Sequence, residues 1–248
     1  MSGTAAGAGV GILRKTSLVD FPGRVCSAFF LPGCNLRCPY CYNAALVLPG
    51  QLSEAGRTAS LAELYGHLER RKNVISGLAI SGGEPLLHPA LPEIIRTAKT
   101  LGLRVKLDTN GTLPEKLDAL LSSPETRPDF IAMDVKTSPE RYRALLAPTD
   151  GGPQADFAAA LAQSAKLVSS LPCGAREFRT VLVPGLVEEA DIRAIARLLP
   201  QDARWMFAPF QNEGCLDAQF GRLAPYTDGQ AAALIAAART VISGAEFR

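Results

Sequence analysis

Short apolar segments alternate with amphipathic ones along most of this chain. Apolar runs rich in β-branched and aromatic residues, bounded by turn residues, are typical of buried strands. Six such runs predict strands over residues 24–31, 74–80, 103–107, 130–135, 177–183 and 204–207. Between them, apolar residues recur at helical spacing. This spacing predicts helices over residues 61–68, 91–101, 113–121, 157–170, 188–199 and 230–242.

Strands that alternate with helices predict an α/β fold with a parallel sheet and with every crossover packed outside it. No internal repeat or linker divides the chain, so we predict one domain over residues 12–248. Residues 1–11 are rich in Gly and Ala and are predicted to form a flexible N-terminal segment. Residues 12–22 are predicted to be a lead-in, and residues 48–57 a connector.

Composition narrows the function classes. With 248 residues, of which 47% are hydrophobic and 20% charged, the chain is long enough to bury a full core. A formal net charge of +2 gives no sign of a nucleic-acid partner. No apolar run reaches about 18 residues, so no membrane-spanning helix is expected. The chain start lacks a secretory signal, and the six cysteines are not spaced as a disulfide framework. We therefore expect a cytoplasmic protein.

Three of the six cysteines lie in one loop. Cys34, Cys38 and Cys41 follow the first predicted strand, which Pro32 and Gly33 terminate. Thiolates are the usual ligands of soft metals and of iron–sulfur clusters. Three thiolates with no fourth nearby would leave one iron of a four-iron cluster open to another ligand.

The next strands end in unusual polar clusters. These clusters contain Gly82, Gly83 and Glu84, then Asp108 and Thr109, then Asp134 and Lys136, and finally Arg179. The carboxyl ends of parallel strands share one edge of a sheet, where α/β folds bind ligands. We therefore expect the clusters and the cysteine loop to form one site.

The residue types suggest roles, each with a simpler alternative. The two glycines allow a close backbone approach to a ligand, or make a tight turn. The hard oxygens of Asp108, Thr109 and Asp134 suit a ribose or a small cation, although either aspartate could instead be a helix cap. Lys136 and Arg179 can pair with a carboxylate or end in solvent. Tyr40 can pack on an aromatic ring or fill the core.

The cysteine spacing, with an aromatic residue before Cys41 and with Gly-Gly-Glu-Pro after it, resembles the radical S-adenosylmethionine (SAM) superfamily. Within it, residues 107–111, 133–136 and 179–185 resemble the glycyl-radical-enzyme activases. Residues 15–23 and 210–217 are most similar to activating proteins of the anaerobic ribonucleoside-triphosphate reductase. The resemblance extends over residues 11–247.

The resemblance implies a fold, a cofactor pair and a role for each motif. The fold would be an open, partial parallel β/α barrel of about six strands. Cys34, Cys38 and Cys41 would ligate a [4Fe–4S] cluster, and the amino and carboxylate groups of S-adenosylmethionine would chelate its open iron. The remaining cofactor-binding residues would be Tyr40, Asn43, Gly82, Gly83, Glu84, Asp108, Lys136 and Arg179. A monovalent cation would lie beside the methionine carboxylate, held by Asp108, Thr109 and Asp134.

The implied activity is radical chemistry on a partner enzyme. Reductive cleavage of S-adenosylmethionine would give a 5′-deoxyadenosyl radical, which would take a hydrogen atom from a glycine of the partner. That partner would be a glycyl-radical enzyme, and the resemblance favours the anaerobic ribonucleotide reductase. An electron donor such as flavodoxin or ferredoxin would be needed. The chain departs from the pattern at Tyr42 and Gln211, where related activases carry His.

Two alternatives remain. One is a radical SAM enzyme that acts on another glycyl-radical enzyme or on a small molecule. The other is a zinc-binding interaction module, in which Cys26 or a His would complete the three-cysteine set. Cys26 is otherwise predicted to be a small core residue, and Cys215 to lie in a loop that could face the site. His67 and His88 are predicted to be structural or solvated.

Overall fold

The computed structural model describes residues 9–146 and 156–248. Within these two ranges the chain forms nine strands and seven α-helices. The strands are β1 Gly11–Ser17, β2 Cys26–Leu31, β3 Thr58–Ala59, β4 Gly77–Gly82, β5 Arg104–Thr109, β6 Phe130–Asp134, β7 Arg176–Leu182, β8 Trp205–Pro209 and β9 Ala245–Phe247. The helices are α1 Ala44–Val47, α2 Leu61–Arg71, α3 Leu91–Thr100, α4 Pro114–Leu121, α5 Phe157–Ser169, α6 Glu189–Leu198 and α7 Asp228–Arg239.

The described residues fall into two compact units. The first unit comprises the residues up to Asn35, Ala45–Thr109 and Asp118–Phe130, and the second comprises Leu36–Ala44, Asn110–Leu117 and Ile131–Arg248. The single domain over residues 12–248 stays a prediction. Residues 1–8, most of the predicted flexible segment, lie outside the described residues.

In the first unit the strand order is β3-β1-β2-β4-β5. Strands β2, β4 and β5 are parallel, as the alternation of strands and helices predicts. Strand β1 pairs antiparallel with both β2 and β3. Leu78, Ile80 and Leu107 are fully buried, and the apolar residues of these strands therefore form the core of this unit.

In the second unit the strand order is β6-β7-β8-β9, and all three pairs are parallel. Phe178, Trp205 and Phe207 are fully buried in these strands. The indole nitrogen of Trp205 donates to Thr180 Oγ1 at 3.0 Å, so the large ring is buried without an unpaired polar atom.

The structure departs from the predicted elements at strands β1 and β3, which no prediction included, and at the bounds of β4. Strand β1 begins at Gly11, the last residue of the predicted flexible segment, and continues through the first half of the predicted lead-in. The predicted connector ends just before β3. Strand β4 covers residues 77–82 rather than 74–80. Val74 belongs to the turn after α2, since its N–H donates to Arg71 O at 2.8 Å and its side chain is exposed. The strand continues to Gly82 because Gly82 pairs in register with Leu31.

Two helices begin at capping boxes. Ser60 accepts from the backbone of Glu63, whose side chain accepts in return from the Ser60 backbone, so Ser60 caps α2. Thr227 and Gln230 make the same exchange at α7, so that helix begins two residues earlier than its apolar spacing predicts.

Candidate functional site

The cysteine loop starts in the first unit and enters the second after Asn35. Its start is fixed by the N–H of Gly33, which donates to Leu46 O at 2.7 Å. None of the six cysteines forms a disulfide. Cys38 is buried, whereas Cys34 and Cys41 are half-buried. Three thiols within eight residues are a donor set that fits an iron–sulfur cluster.

The assignment of the cluster ligands rests on the sequence motif. Among the described residues, no group of three or more His, Cys, Asp or Glu side chains is arranged to hold a metal ion. The roles of Cys34, Cys38 and Cys41 as ligands therefore stay predictions.

Gly82 and Gly83 pack directly against the start of the cysteine loop. The N–H of Gly83 donates to Leu31 O at 2.9 Å, and that of Glu84 donates to Gly33 O at 2.8 Å. A Cβ atom on Gly83 would lie 2.0 Å from Gly33 O, and Gly82 has a φ of +125°. Only glycine allows this approach. Within this unit the two glycines therefore allow two backbone segments to approach closely, and their predicted approach to a ligand stays a prediction.

Glu84 is fully buried and bonded inside the protein. Its Oε1 accepts from Leu86 N and from Thr109 Oγ1, both at 3.0 Å. The first bond caps the 3-10 turn Pro85–Leu87, and the second ties the end of β4 to the end of β5. Glu84 therefore supports the local structure, whatever part it also has in binding a ligand.

Asp108 is paired with a lysine that the sequence analysis did not single out. Lys106 Nζ donates to Asp108 Oδ1. The side chain of Lys106 is only 3% exposed and that of Asp108 16%. The available signal was the spacing, because residues two apart on a strand lie on the same face.

In the second unit, Asp134, Lys136 and Arg179 are brought together as predicted. Asp134 Oδ1 accepts from Arg179 Nε at 2.6 Å, and its Oδ2 accepts from Lys136 Nζ at 3.3 Å. Burial alone would raise the pKa of Asp134, but the positive charges of Arg179 and Lys136 outweigh it and hold the pKa below its usual range. The carboxylate stays ionised and holds two cations in place.

Tyr40 lies beside this cluster in the second unit. Its side chain is buried, and its hydroxyl finds no hydrogen-bond partner among the described residues. Burial, followed by the nearby Cys38, raises the pKa of Tyr40. Lys136 N donates to the hydroxyl of Tyr142 at 2.9 Å. The ring of Tyr40 thus fills the core of this unit, which was the simpler of its two predicted roles.

The second part of the cysteine loop is held by two later segments of the chain. Arg37 N donates to Leu145 O at 2.6 Å, and Asp217 N donates to Pro39 O at 2.9 Å. Cys215 lies near Cys41, since burial and then the charge of Cys41 raise the pKa of Cys215. The segment over residues 210–217 therefore contacts the cysteine loop, and Cys215 lies in a loop beside it.

The residues at the positions that depart from the activase pattern lie outside the core. Tyr42 is 62% exposed, Asn43 is half-buried and Gln211 is exposed. Because most of the Tyr42 side chain is exposed to solvent, the packing of the fold does not require a particular side chain at this position.

The remaining cysteines and histidines are structural or peripheral. Cys26 is fully buried, and burial raises its pKa to about 11, so it stays a neutral thiol. Cys173 is exposed, and its Sγ donates to Asp202 at 3.0 Å. His67 is buried against Ser27, with 2.9 Å between Nε2 and Oγ. His88 Nδ1 accepts from Ala90 N at 3.2 Å. The structural role predicted for the two histidines is confirmed.

A family model of the radical SAM superfamily matches residues 29–199, which include the cysteine loop and all the polar strand ends. The chain belongs to the radical SAM superfamily. Membership implies a [4Fe–4S] cluster and S-adenosylmethionine as its cofactors, and it makes the protein an enzyme of that superfamily.

Similar proteins extend this result. A Methanocaldococcus jannaschii protein, provisionally named a glycyl-radical enzyme activating enzyme, is 30% identical over 213 residues, covering 84% of this chain and 82% of that protein. A GTP 3′,8-cyclase of Chlorobaculum tepidum is 40% identical over 93 residues, which is 36% of this chain and 27% of the cyclase.

A solved structure confirms the fold. TYW1 with a bound lysine–pyruvate adduct superposes with a TM-score of 0.58 over 88% of this chain and 74% of that chain, at 14% identity. The predicted fold class, an open partial parallel β/α barrel of the radical SAM type, is therefore correct. Over the described residues, none of the helices has the length and apolar character needed to cross a membrane.

Proposed function

We propose that this radical SAM protein is an activating enzyme that installs a glycyl radical on a partner enzyme. The partner we propose is an anaerobic ribonucleoside-triphosphate reductase, with flavodoxin or ferredoxin as the electron donor. The site of action we propose is the cytoplasm.

The observation that carries this proposal is the extent of the similarity. The provisionally named activating enzyme of M. jannaschii is matched over 82% of its length, whereas the cyclase is matched over 27%. A match over most of both chains includes the segments outside the cofactor motif. Those segments distinguish one radical SAM enzyme from another, because the motif itself is shared across the superfamily.

The residues of each unit have separate tasks in this proposal. Cys34, Cys38 and Cys41 hold the [4Fe–4S] cluster. With S-adenosylmethionine bound, the cluster supplies the one-electron chemistry that removes a hydrogen atom from a glycine. In the first unit, the strand end at Gly82 and Gly83 fixes the start of the cysteine loop and offers backbone groups to the methionine amino group.

In the second unit, Lys136 and Arg179 provide positive charge for the methionine carboxylate. Both are partly exposed, with side-chain exposures of 19% and 22%. They are also already oriented by Asp134, so little side-chain entropy is lost when a ligand binds. The backbone at Tyr40 is proposed to bind the adenine, with Asn43 close to it.

The test is electron paramagnetic resonance on the reconstituted protein, reduced without oxygen and mixed with S-adenosylmethionine and the reductase. We expect a four-iron signal that changes shape with the cofactor, followed by a glycyl-radical doublet on the reductase. The Cys38→Ala variant should give neither signal. Cofactor cleavage without a glycyl radical, for the reductase and for other glycyl-radical enzymes, would redirect the search to a small-molecule substrate. A colourless zinc protein would end the proposal.

A further inference from the structure

Lys106 is a buried cation on β5 in the first unit. It lies on β5 two residues before Asp108, so both side chains are on one face of the strand. Its side chain is 3% exposed, and its ammonium donates to the carboxylate of Asp108. Lysine is almost never buried to this degree without a paired charge. The position is therefore a built ion pair and not a solvated strand end.

The neighbouring strands leave room for this side chain. In the register of the sheet, Ala28 on β2 is opposite Ala79 on β4, and Ala79 is opposite Lys106. Residues paired in this way point to the same face. Both alanines are buried, at 0% and 1% exposure. Because Ala28 and Ala79 are small, the aliphatic part of the Lys106 side chain can be buried beside them.

The charge of Lys106 is balanced by Asp108. Cys26 is close enough for Lys106 to influence its pKa, but burial keeps that thiol neutral, with a pKa of about 11. The thiol therefore contributes no negative charge. Removing the ammonium would leave the carboxylate of Asp108, at 16% side-chain exposure, without this counter-ion.

The residues predicted to hold a monovalent metal cation do not fit that role in this chain. Asp108 is paired with Lys106, and Thr109 donates its hydroxyl proton to Glu84. In the second unit, both oxygens of Asp134 accept from cationic side chains. A metal ion at Asp108 would lie beside the ammonium, where two like charges repel in a site of low polarity.

We propose that the ammonium of Lys106 takes the place of a monovalent metal cation beside Asp108. Lys106 is then a positioning residue, which fixes the Asp108 carboxylate and makes S-adenosylmethionine binding independent of sodium and potassium. The second half of this statement rests on the proposed function. The first half does not, because it concerns the ion pair alone.

Thermal unfolding of the full chain tests the ion pair. It is measured in sodium, potassium and tetramethylammonium chloride at equal ionic strength. The wild type should melt at the same temperature in all three salts. Lys106→Met should melt at a lower temperature in tetramethylammonium and should regain about 2–4 °C in sodium or potassium, because a small cation then fills the vacated place. Lys106→Arg, which keeps the charge, should melt at the same temperature in all three salts, as the wild type does.

The control is Lys116→Met, which removes an exposed lysine and should show no difference between the salts. A wild type that is stabilised specifically by sodium or potassium would overturn the proposal. So would a Lys106→Met protein that is indifferent to the salt. If that variant does not fold in any salt, Lys106→Gln is measured in its place, and the same absence of a metal response overturns the proposal.

A second measurement is S-adenosylmethionine affinity at matched iron content, followed through the change in the cluster's paramagnetic signal. The wild-type affinity should be the same in the three salts. Lys106→Met should bind about tenfold more weakly in tetramethylammonium than in sodium. If the wild type binds no S-adenosylmethionine although its cluster is complete, the proposed function fails, while the melting temperatures still decide the role of Lys106.

Discussion

Two strand ends of this protein carry the same pair of residues in opposite order. Strand β5 ends in Lys106-Leu107-Asp108-Thr109, whereas β6 ends in Asp134 and is followed by Val135-Lys136. Where the lysine comes first, it lies inside the strand and its side chain is 3% exposed; where it comes last, it lies beyond the strand and is 19% exposed. The order of two residues therefore decides whether the ion pair is internal or accessible.

The difference in exposure means that the ammonium of Lys106 is fixed in the interior, whereas the cations around Asp134 can reach solvent. Lys106 is buried beside Ala79 and donates to the carboxylate of Asp108. Lys136 and Arg179 share Asp134 and keep partial access to solvent. A partly exposed cation can be reached by an incoming carboxylate, and the second cation still holds Asp134 when the first one turns away. The first pair is suited to support a site and the second to bind a ligand.

The largest expected effect comes from breaking the internal pair. Lys106→Met should lower the free energy of unfolding by about 3–5 kcal/mol in buffer without small cations, since it removes a buried ammonium from beside the Asp108 carboxylate. Lys136→Met should cost about 1 kcal/mol or less, because Arg179 still holds Asp134. Urea unfolding of both variants makes the comparison. Equal losses would mean that the difference in exposure has no energetic consequence.

The next effect concerns the close backbone contact at Gly83, in the same unit as the internal pair. Gly83→Ala should cost about 1–3 kcal/mol, because its Cβ would overlap the Gly33 carbonyl, which is backbone and cannot swing away. The matched control is Gly174→Ala, where nothing lies within 4 Å of an added Cβ. It should stay within about 0.5 kcal/mol of the wild type. Urea midpoints measure both, and a Gly83→Ala protein as stable as its control would disprove the close contact.

A smaller effect is expected at the accessible pair, and in binding more than in stability. Arg179→Gln should weaken S-adenosylmethionine binding about tenfold, equal to about 1.4 kcal/mol, and change the unfolding free energy by less. Equilibrium dialysis at matched iron content measures the affinity. Arg179→Lys should recover part of it, since the charge returns without the planar fork. Unchanged affinity in the glutamine variant would remove Arg179 from the binding residues.

The smallest effect is a change in acid sensitivity. The pKa of Asp134 is held below its unfolded value of about 3.9, so this residue stabilises the fold above that pH and loses the contribution as the pH falls through the folded pKa. Asp134→Asn lacks this dependence. Between pH 5 and pH 3 the wild type should therefore lose about 1 kcal/mol more than the variant. Guanidinium unfolding at several pH values measures the slopes, and parallel slopes would contradict the assigned shift.

The six main strands and their helices could be predicted because each combines a clear period with turn residues. Strand β1 could not, since Arg14, Lys15 and Thr16 make it polar, and it is held by antiparallel pairing with β2 and β3. Such pairing depends on other segments of the chain, which the residues of β1 alone do not show. The apolar pattern predicts the start of β4 three residues too early, because Val74 is apolar but belongs to a turn.

In the site, the sequence identified the polar strand ends but missed Lys106. The alternation of Arg104, Lys106 and Asp108 with apolar residues shows which side chains share a face. It does not show whether that face meets water or the interior. The partner of Glu84 could not be predicted either, because it depends on the register of β4 with β5, in which Ile80 is opposite Leu107.

The hydrogen bond from Asp217 to Pro39 has a consequence for how the protein matures. The segment that carries Cys38 and Cys41 is anchored by Leu145 and Asp217, more than 100 and 170 residues further along the chain. During synthesis the three cysteines leave the ribosome long before these anchors exist. We therefore expect iron to be loaded only after translation has passed residue 217, and a nascent chain stalled earlier to present three unprotected thiols to the cell.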